Sequence, residues 1–560
     1  MRPAHSLHPS FHRESQTPED ANEKQPPTTV QTGRDFPEDR ALNRLACAHS
    51  IVVLKNDNSI LPLPKILPKI ALIGSHVRTP AISGGGSAAL LPYYSVSLYD
   101  AVAEAIPEAS ITYEVGAYAH KMLPVIDGML HNAVINFYNE PATGPNRKLL
   151  GQENVSSTSF QLMDYNGIPE LNKALFWGAL VGDFVPDATG TWDFGLTVFG
   201  TANLYFDDEL TIDNTTHQTR GTAFFGKGTV EKFGSKELNL GRPTPRRRKP
   251  LAMVNFGGGA AHLGACLRMS PVQMIERAVR AARNADHTVI YTGLGGEWES
   301  EGFDRPHMDL PRGVDEMITQ VLTVAPNAVI VNQSGTPVTM PWADQAKCIV
   351  QAWYGGNETG HGISDVLFGH VNSCAKLPLS WPIHVKHNPA YLNDTSVGGR
   401  VLYGEDVYVG YKFYDKTERE VLFPFGHGLS YTTFELSDPE VRMVPKVFTS
   451  NHPSVAVIKV KNTGSVAGAQ VLQLYVAASA SSTPRPVKEL HGFEKVFLQA
   501  GEEKEVHIPV DRYATSFRDE AESMWKSEEG PYEVLVGTSS QEILGKGELI
   551  VPQTRYWLGL

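Results

Sequence analysis

The hydrophobic pattern of this chain changes period three times, and those changes limit its architecture more than any single motif does. From Phe36, helix-spaced and strand-like runs alternate. Pro37–Ser50 is helical in spacing, Ile70-Ala71-Leu72-Ile73 is an apolar run closed by Gly74, and Ile111–Val115 is a second run ending at Gly116. Short apolar runs bounded by Pro or Gly suit strands buried on both faces of a parallel sheet. Between about 120 and 260 the pattern becomes period two, as in Thr191–Val198 and Asn203–Phe206, with polar turns between runs. That reads as an all-β segment. The first pattern resumes at Ser270-Pro271-Val272-Gln273, where Ser fits an N-cap, Pro the first helical position and Gln the closing half of a capping box. A helix to about Asn284 follows, then a strand at Thr288–Tyr291, a helix over Val314–Val324 and strands at Ala328–Val331 and Ile349–Ala352. After Phe434 alternation returns, in Val455–Val460, Val471–Val476 and Tyr532–Val536.

The expected fold is therefore multidomain α/β plus all-β. An α/β sandwich domain made of residues 35–119 and 261–434 is interrupted by a β-sandwich at 120–260, and a second β-sandwich occupies 435–560. A length of 560 residues is too great for one core and suits three or four domains. Residues 1–34, rich in Pro, His, Ser, Thr and charge, read as a disordered lead segment.

A formal net charge of −12 argues against nucleic acid or an anionic membrane as a general partner. The basic cluster Arg246-Arg247-Arg248-Lys249 lies between prolines and reads as a solvated linker. No apolar run is long enough to span a bilayer, and the first residues lack the apolar region of a signal peptide, so the chain as written is expected in the cytoplasm. Secretion would follow if the N-terminus is truncated, and only then would the sequons at Asn154, Asn214, Asn332, Asn357 and Asn393 matter. Cys47, Cys266, Cys348 and Cys374 lie far apart without metal-type spacing and read as buried or free thiols. Gly257-Gly258-Gly259 lacks a following helix signal and reads as a turn, not a phosphate loop, so no cofactor is expected.

The chemistry concentrates in Gly295-Gly296-Glu297-Trp298-Glu299-Ser300-Glu301-Gly302-Phe303-Asp304-Arg305, just after a buried strand. Loops at strand ends are where open α/β sheets bind ligands. A carboxyl group held beside a sugar is the usual proton donor in glycoside hydrolysis. On spacing alone a solvated acidic loop explains the same residues.

Several further motifs occur in one order along the chain. They include Ser50–Asn56 with Leu61-Pro62-Leu63, Gly84-Gly85-Gly86-Ser87-Ala88 with Pro92-Tyr93-Tyr94, Gln333–Val338, and Trp353–Glu358. Asp365–Gly369, Tyr403-Gly404-Glu405-Asp406 and Phe423–Tyr431 complete the series. Together with the acidic loop these resemble the β-glucosidases of glycoside hydrolase family 3 from about residue 36 to 560. The inserted segment is similar to the protective-antigen-like sandwich of a fungal and yeast subgroup, on Asn214-Thr215-Thr216 and Gly200-Thr201-Ala202, and the last domain resembles a fibronectin type III-like domain.

The resemblance implies hydrolysis of terminal non-reducing β-D-glucosyl residues with retention, on β-glucosides and short β-gluco-oligosaccharides. Position in Glu-Gly-x-Asp-Arg implies Glu301 as general acid/base, with Glu299 the alternative and Glu297 solvated. Asp304 and Arg305 fit either a loop-fixing ion pair or substrate contact. Ser87 fits a turn or a substrate contact, and Trp298, Trp353 and Phe303 fit either sugar stacking or packing. Asp207-Asp208 is similar to calcium-binding adhesin relatives but reads as a hairpin turn, so no metal is assigned.

Two departures from the family stand out. Its nucleophile is an Asp in a Ser-Asp-Trp motif on an N-terminal barrel of about 250 residues. No Ser-Asp-Trp occurs here, and Lys386-His387 does not replace the barrel's Lys-His pair. The expectation is a chain with the acid/base domain but not the nucleophile barrel, inactive by itself and self-associating as a homo-oligomer through an exposed apolar face. The alternative is a catalytically inactive carbohydrate-binding or structural partner of a full-length β-glucosidase. The second departure is Pro-Arg-Arg-Arg-Lys-Pro within 240–254, which replaces a strand.

Overall fold

The computed structural model describes residues 35–558 apart from 91, 127–128, 156, 163–164, 173, 222–227, 241–258, 302–303, 439 and 446–453. The expectations placed on 1–34, on the 246–249 cluster, on most of the 240–254 segment, on Gly257 and Gly258, and on Phe303 lie outside the described residues.

A six-stranded sheet organises the α/β domain, in the spatial order Val52–Asn56, Cys348–Ala352, Val329–Gln333, His287–Gly293, Lys69–Ile73, Ser110–Glu114. The last five are parallel, as the short apolar runs predict. Val52–Asn56 pairs antiparallel along the edge of Cys348–Ala352. Side chains alternate between two cores. Ile73, Ile290, Ile330 and Ile349 face helices Pro271–Arg283 and Val314–Val324, while Leu72, Tyr291, Val331 and Val350 face helices Pro37–Ser50, Leu98–Ala105 and Thr359–Leu367. Each such fully buried aliphatic side chain contributes roughly 1.5–3 kcal/mol. The capping box forms as the sequence predicts, with Gln273 N–H donating to Ser270 Oγ at 3.2 Å and Ser270 N–H donating to Gln273 Oε1 at 3.1 Å.

The strand order places a reversal at the centre of this sheet. From Lys69–Ile73 the chain steps outward to Ser110–Glu114, whereas from His287–Gly293 it steps the other way to Val329–Gln333 and Cys348–Ala352. The loops that leave the carboxyl ends of Lys69–Ile73 and His287–Gly293 therefore diverge over a crevice, the place where open α/β sheets bind ligands.

The strands from Leu130 to Leu267 build their own sheets around Phe184, Trp192, Phe194 and Phe206. Hairpin Ala202–Phe206/Glu209–Asn214 turns at Asp207 and Asp208, with φ of 47° and 67°, values that a tight hairpin turn requires. After residue 434, two facing sheets enclose a core that includes Ile458, Leu474, Ile508 and Val534. All four cysteines are free thiols. Two sequons are buried: Asn214 Nδ2 donates to Leu196 O at 2.9 Å, and Asn332 Nδ2 to Gln351 Oε1 at 2.6 Å. Among the described residues no helix is long and apolar enough to cross a membrane.

Candidate active site

Strand His287–Gly293 ends in a glycine because Gly293 has φ +153° and a Cβ there would lie 1.9 Å from Gln333 O. The acidic loop folds back at once, with the Trp298 and Glu299 N–H groups donating to Gly295 O at 2.8 and 3.0 Å. Across the crevice, the loop after Lys69–Ile73 brings Gly84–Ser87 against it. Gly85 N–H donates to Glu299 O at 2.9 Å, and Gly85 pairs with Ser300 as an isolated parallel bridge. A Cβ on Gly85 would sit 1.9 Å from Gly296 O, so this crossing requires glycine. At its end the Ser87 hydroxyl donates to Glu301 Oε2.

The three glutamates of the loop are used differently. Glu297, expected to be solvated, instead accepts with one oxygen from the Lys121 and Met122 N–H groups at 2.6 and 3.1 Å. Glu299 accepts from Gly335 N–H at 2.6 Å and from the Thr336 and Tyr354 hydroxyls. Those three donors occupy most of its acceptor sites, so the group serves to tie its loop to the next two strand ends. Glu301 is exposed, with Ser87 as its partner among the described residues.

Arg305 does not pair with Asp304 among the described residues. Its Nη2 donates to Thr336 Oγ1 at 2.7 Å and Pro337 O at 2.9 Å, and Asp304 is exposed. Nη1 of Arg305 is buried without a hydrogen-bond partner among the described residues. Burial pushes the Arg305 guanidinium below its ordinary value, and the Glu299 carboxylate opposes that shift. Trp298 donates to Ala119 O at 2.5 Å and Trp353 to Ser50 O at 3.0 Å, and both rings pack on the core, which favours a scaffold role over sugar stacking.

Sequence reasoning missed Tyr354 and Thr336 as partners of Glu299. Both lie inside motifs read only for their resemblance, and no local pattern reveals that their hydroxyls converge on a carboxylate 55 and 37 residues away. Ser87, a candidate from the sequence, donates to Glu301.

The glycosyl hydrolase family 3 C-terminal domain matches residues 51–431, and the fibronectin type III-like domain matches 470–540. A "Probable beta-glucosidase H" of Neosartorya fischeri is 67% identical over 546 residues, covering 96% of this chain and 66% of the relative. A "Probable beta-glucosidase I" of Aspergillus fumigatus is 48% identical, over 94% of this chain and 64% of the relative. Among solved structures, a β-glucosidase of Kluyveromyces marxianus in complex with glucose superposes with a TM-score of 0.86 at 39% identity, covering 95% of this chain and 65% of that one. The chain thus spans slightly less than two thirds of the length of the curated relatives it matches.

Proposed function

The chain belongs to glycoside hydrolase family 3, and from that premise we propose that its acidic loop supplies the proton donor of a retaining β-glucosidase, with Glu301 as general acid/base. The observation that carries this reading is the division of labour within the loop. Glu297 and Glu299 are committed as acceptors to neighbouring segments, whereas Glu301 is exposed, with the Ser87 hydroxyl as its partner among the described residues. A carboxyl placed this way protonates the departing glycosidic oxygen of a β-glucoside, and as carboxylate it then takes a proton from the water that completes hydrolysis.

Retention needs a second carboxylate about 5 Å from the first. Ser-Asp-Trp occurs nowhere in the 560 residues, so the nucleophile is proposed to come from outside them, and the chain by itself to be inactive. The inserted module is read as a protective-antigen-like sandwich.

Labelling carboxyl groups with a water-soluble carbodiimide and an amine tests the assignment within the loop. Glu301 is expected to react before Glu297 and Glu299, and preferential reaction of Glu299 would move the role there. Should the chain bind short β-gluco-oligosaccharides in titration but never support hydrolysis when completed, the reading as an inactive carbohydrate-binding partner replaces this one.

A further inference from the structure

The chain passes from the α/β layer into the inserted sandwich through residues 119–125, and that stretch is gripped from both sides. The acidic loop holds its first half. Glu297 Oε2 accepts from Lys121 N–H at 2.6 Å and Met122 N–H at 3.1 Å, and Trp298 Nε1 donates to Ala119 O at 2.5 Å. The Lys121 ammonium also lies 4.5 Å from the centre of the Trp298 ring.

The insert holds the second half. Leu123 N–H donates to both oxygens of Glu231, at 3.0 and 3.2 Å, and His262 Nε2 lies 2.8 Å from Leu123 O. Ala265 N–H donates to Pro124 O at 2.9 Å, and Val125 bridges Gly264. Gly264 admits this approach because a Cβ there would lie 2.0 Å from Leu123 O. Three consecutive backbone N–H groups, 121 to 123, thus end on carboxylates from two different modules.

We propose that Glu297 is a positioning residue, which through this bracket transmits the seat of the inserted sandwich to the loop that presents Glu301. The inference rests on the reading of Glu301 as proton donor. Between Glu297 and Glu301 the loop has little slack, since the Trp298 and Glu299 amides are folded back on Gly295 and Ser300 is paired with Gly85. A displacement of 119–125 therefore moves the Glu301 carboxyl relative to Ser87 instead of being absorbed. The acceptor geometry, not the charge, carries the coupling, because both N–H bonds converge on one oxygen that a glutamine amide can reproduce.

Hydrogen exchange measured by mass spectrometry on the full chain tests this without any use of catalysis, so a failure of the β-glucosidase reading leaves every outcome legible. In Glu297→Ala, amides of 119–123 and of 295–301 are expected to exchange at least about tenfold faster, from the loss of two bonds to a charged acceptor. Carbodiimide labelling of Glu301 is expected to rise with them. Glu297→Gln is expected to restore protection to within about threefold of wild type. Unchanged exchange over 295–301 in Glu297→Ala would overturn the proposal, and so would Glu297→Gln opening as widely as Glu297→Ala. If Glu297→Ala does not fold, the wild-type chain decides in sub-denaturing guanidinium. Amides of 121–123 and 295–301 opening with one common free energy support the bracket, and independent openings refute it.

Discussion

The Ser87 hydroxyl donates to Oε2 of Glu301, and through that bond the two loops on either side of the sheet's reversal close on each other. Ser87 belongs to the short turn Gly86–Ala88, and Gly86 has φ +66° with a Cβ position 3.2 Å from Glu301 Cβ. The acid loop is thus seated on backbone, and its Glu301 carboxyl is oriented by a hydroxyl from the opposite strand end.

Gly85→Ala is expected to break this seat. The added methyl would meet Gly296 O at 1.9 Å and Ser300 Cβ at 2.9 Å, neither of which can retreat without moving the loop. Overpacking of this kind costs roughly 1–3 kcal/mol. Chemical unfolding should register that loss, and carbodiimide labelling of Glu299 should increase as its loop lifts. Wild-type stability in Gly85→Ala would show that the crossing is loose.

Tyr354→Phe removes one of three donors to Glu299. Burial and the adjoining Glu299 carboxylate push the Tyr354 phenol well above its ordinary value, so it remains a donor at every working pH. Loss of a hydrogen bond to a charged acceptor costs roughly 1.5–3 kcal/mol. The expected result is a lower denaturant midpoint with faster amide exchange at 295–301, measured on the purified variant.

Glu231 makes stability depend on pH. Burial pushes its carboxyl up to about 7, against the pull of the Leu123 N–H and with added repulsion from Glu297. In the unfolded chain a Glu titrates near about 4.3. The stability it contributes in its protonated form is therefore complete below about pH 4 and is lost as pH rises through about 7. Glu231→Gln abolishes that loss while keeping an acceptor for Leu123 N–H. Relative to wild type it is expected to be neutral near pH 4 and more stable near pH 8 by on the order of 3–4 kcal/mol. Parallel unfolding curves for the two proteins across this range would refute the assignment.

The parallel strands were legible because runs such as Ile70–Ile73 and Val289–Tyr291 are buried on both faces and so carry no charged residue. Helix Pro271–Arg283 was legible because its capping box is local. Val52–Asn56 reads only as part of a family motif, and its residues do not state which way an edge strand pairs. Within the site, the role proposed for Glu301 rests on the resemblance and on its exposed carboxyl beside Ser87. Glu297 was misjudged because its partners are backbone N–H groups 175 and 176 residues away, and a backbone donor leaves no mark on the sequence that supplies it.

The most direct test joins this chain to the part of a 67%-identical relative that it does not match, and measures hydrolysis of an aryl β-glucoside. The joined protein is expected to turn over, and the 560-residue chain alone is not. In the joined protein Glu301→Gln is expected to lower the rate by about 10²–10⁴-fold, the usual contribution of a positioned general acid. A joined Glu301→Gln protein at the wild-type rate, or turnover by the unjoined chain at the rate of the joined one, would contradict the account.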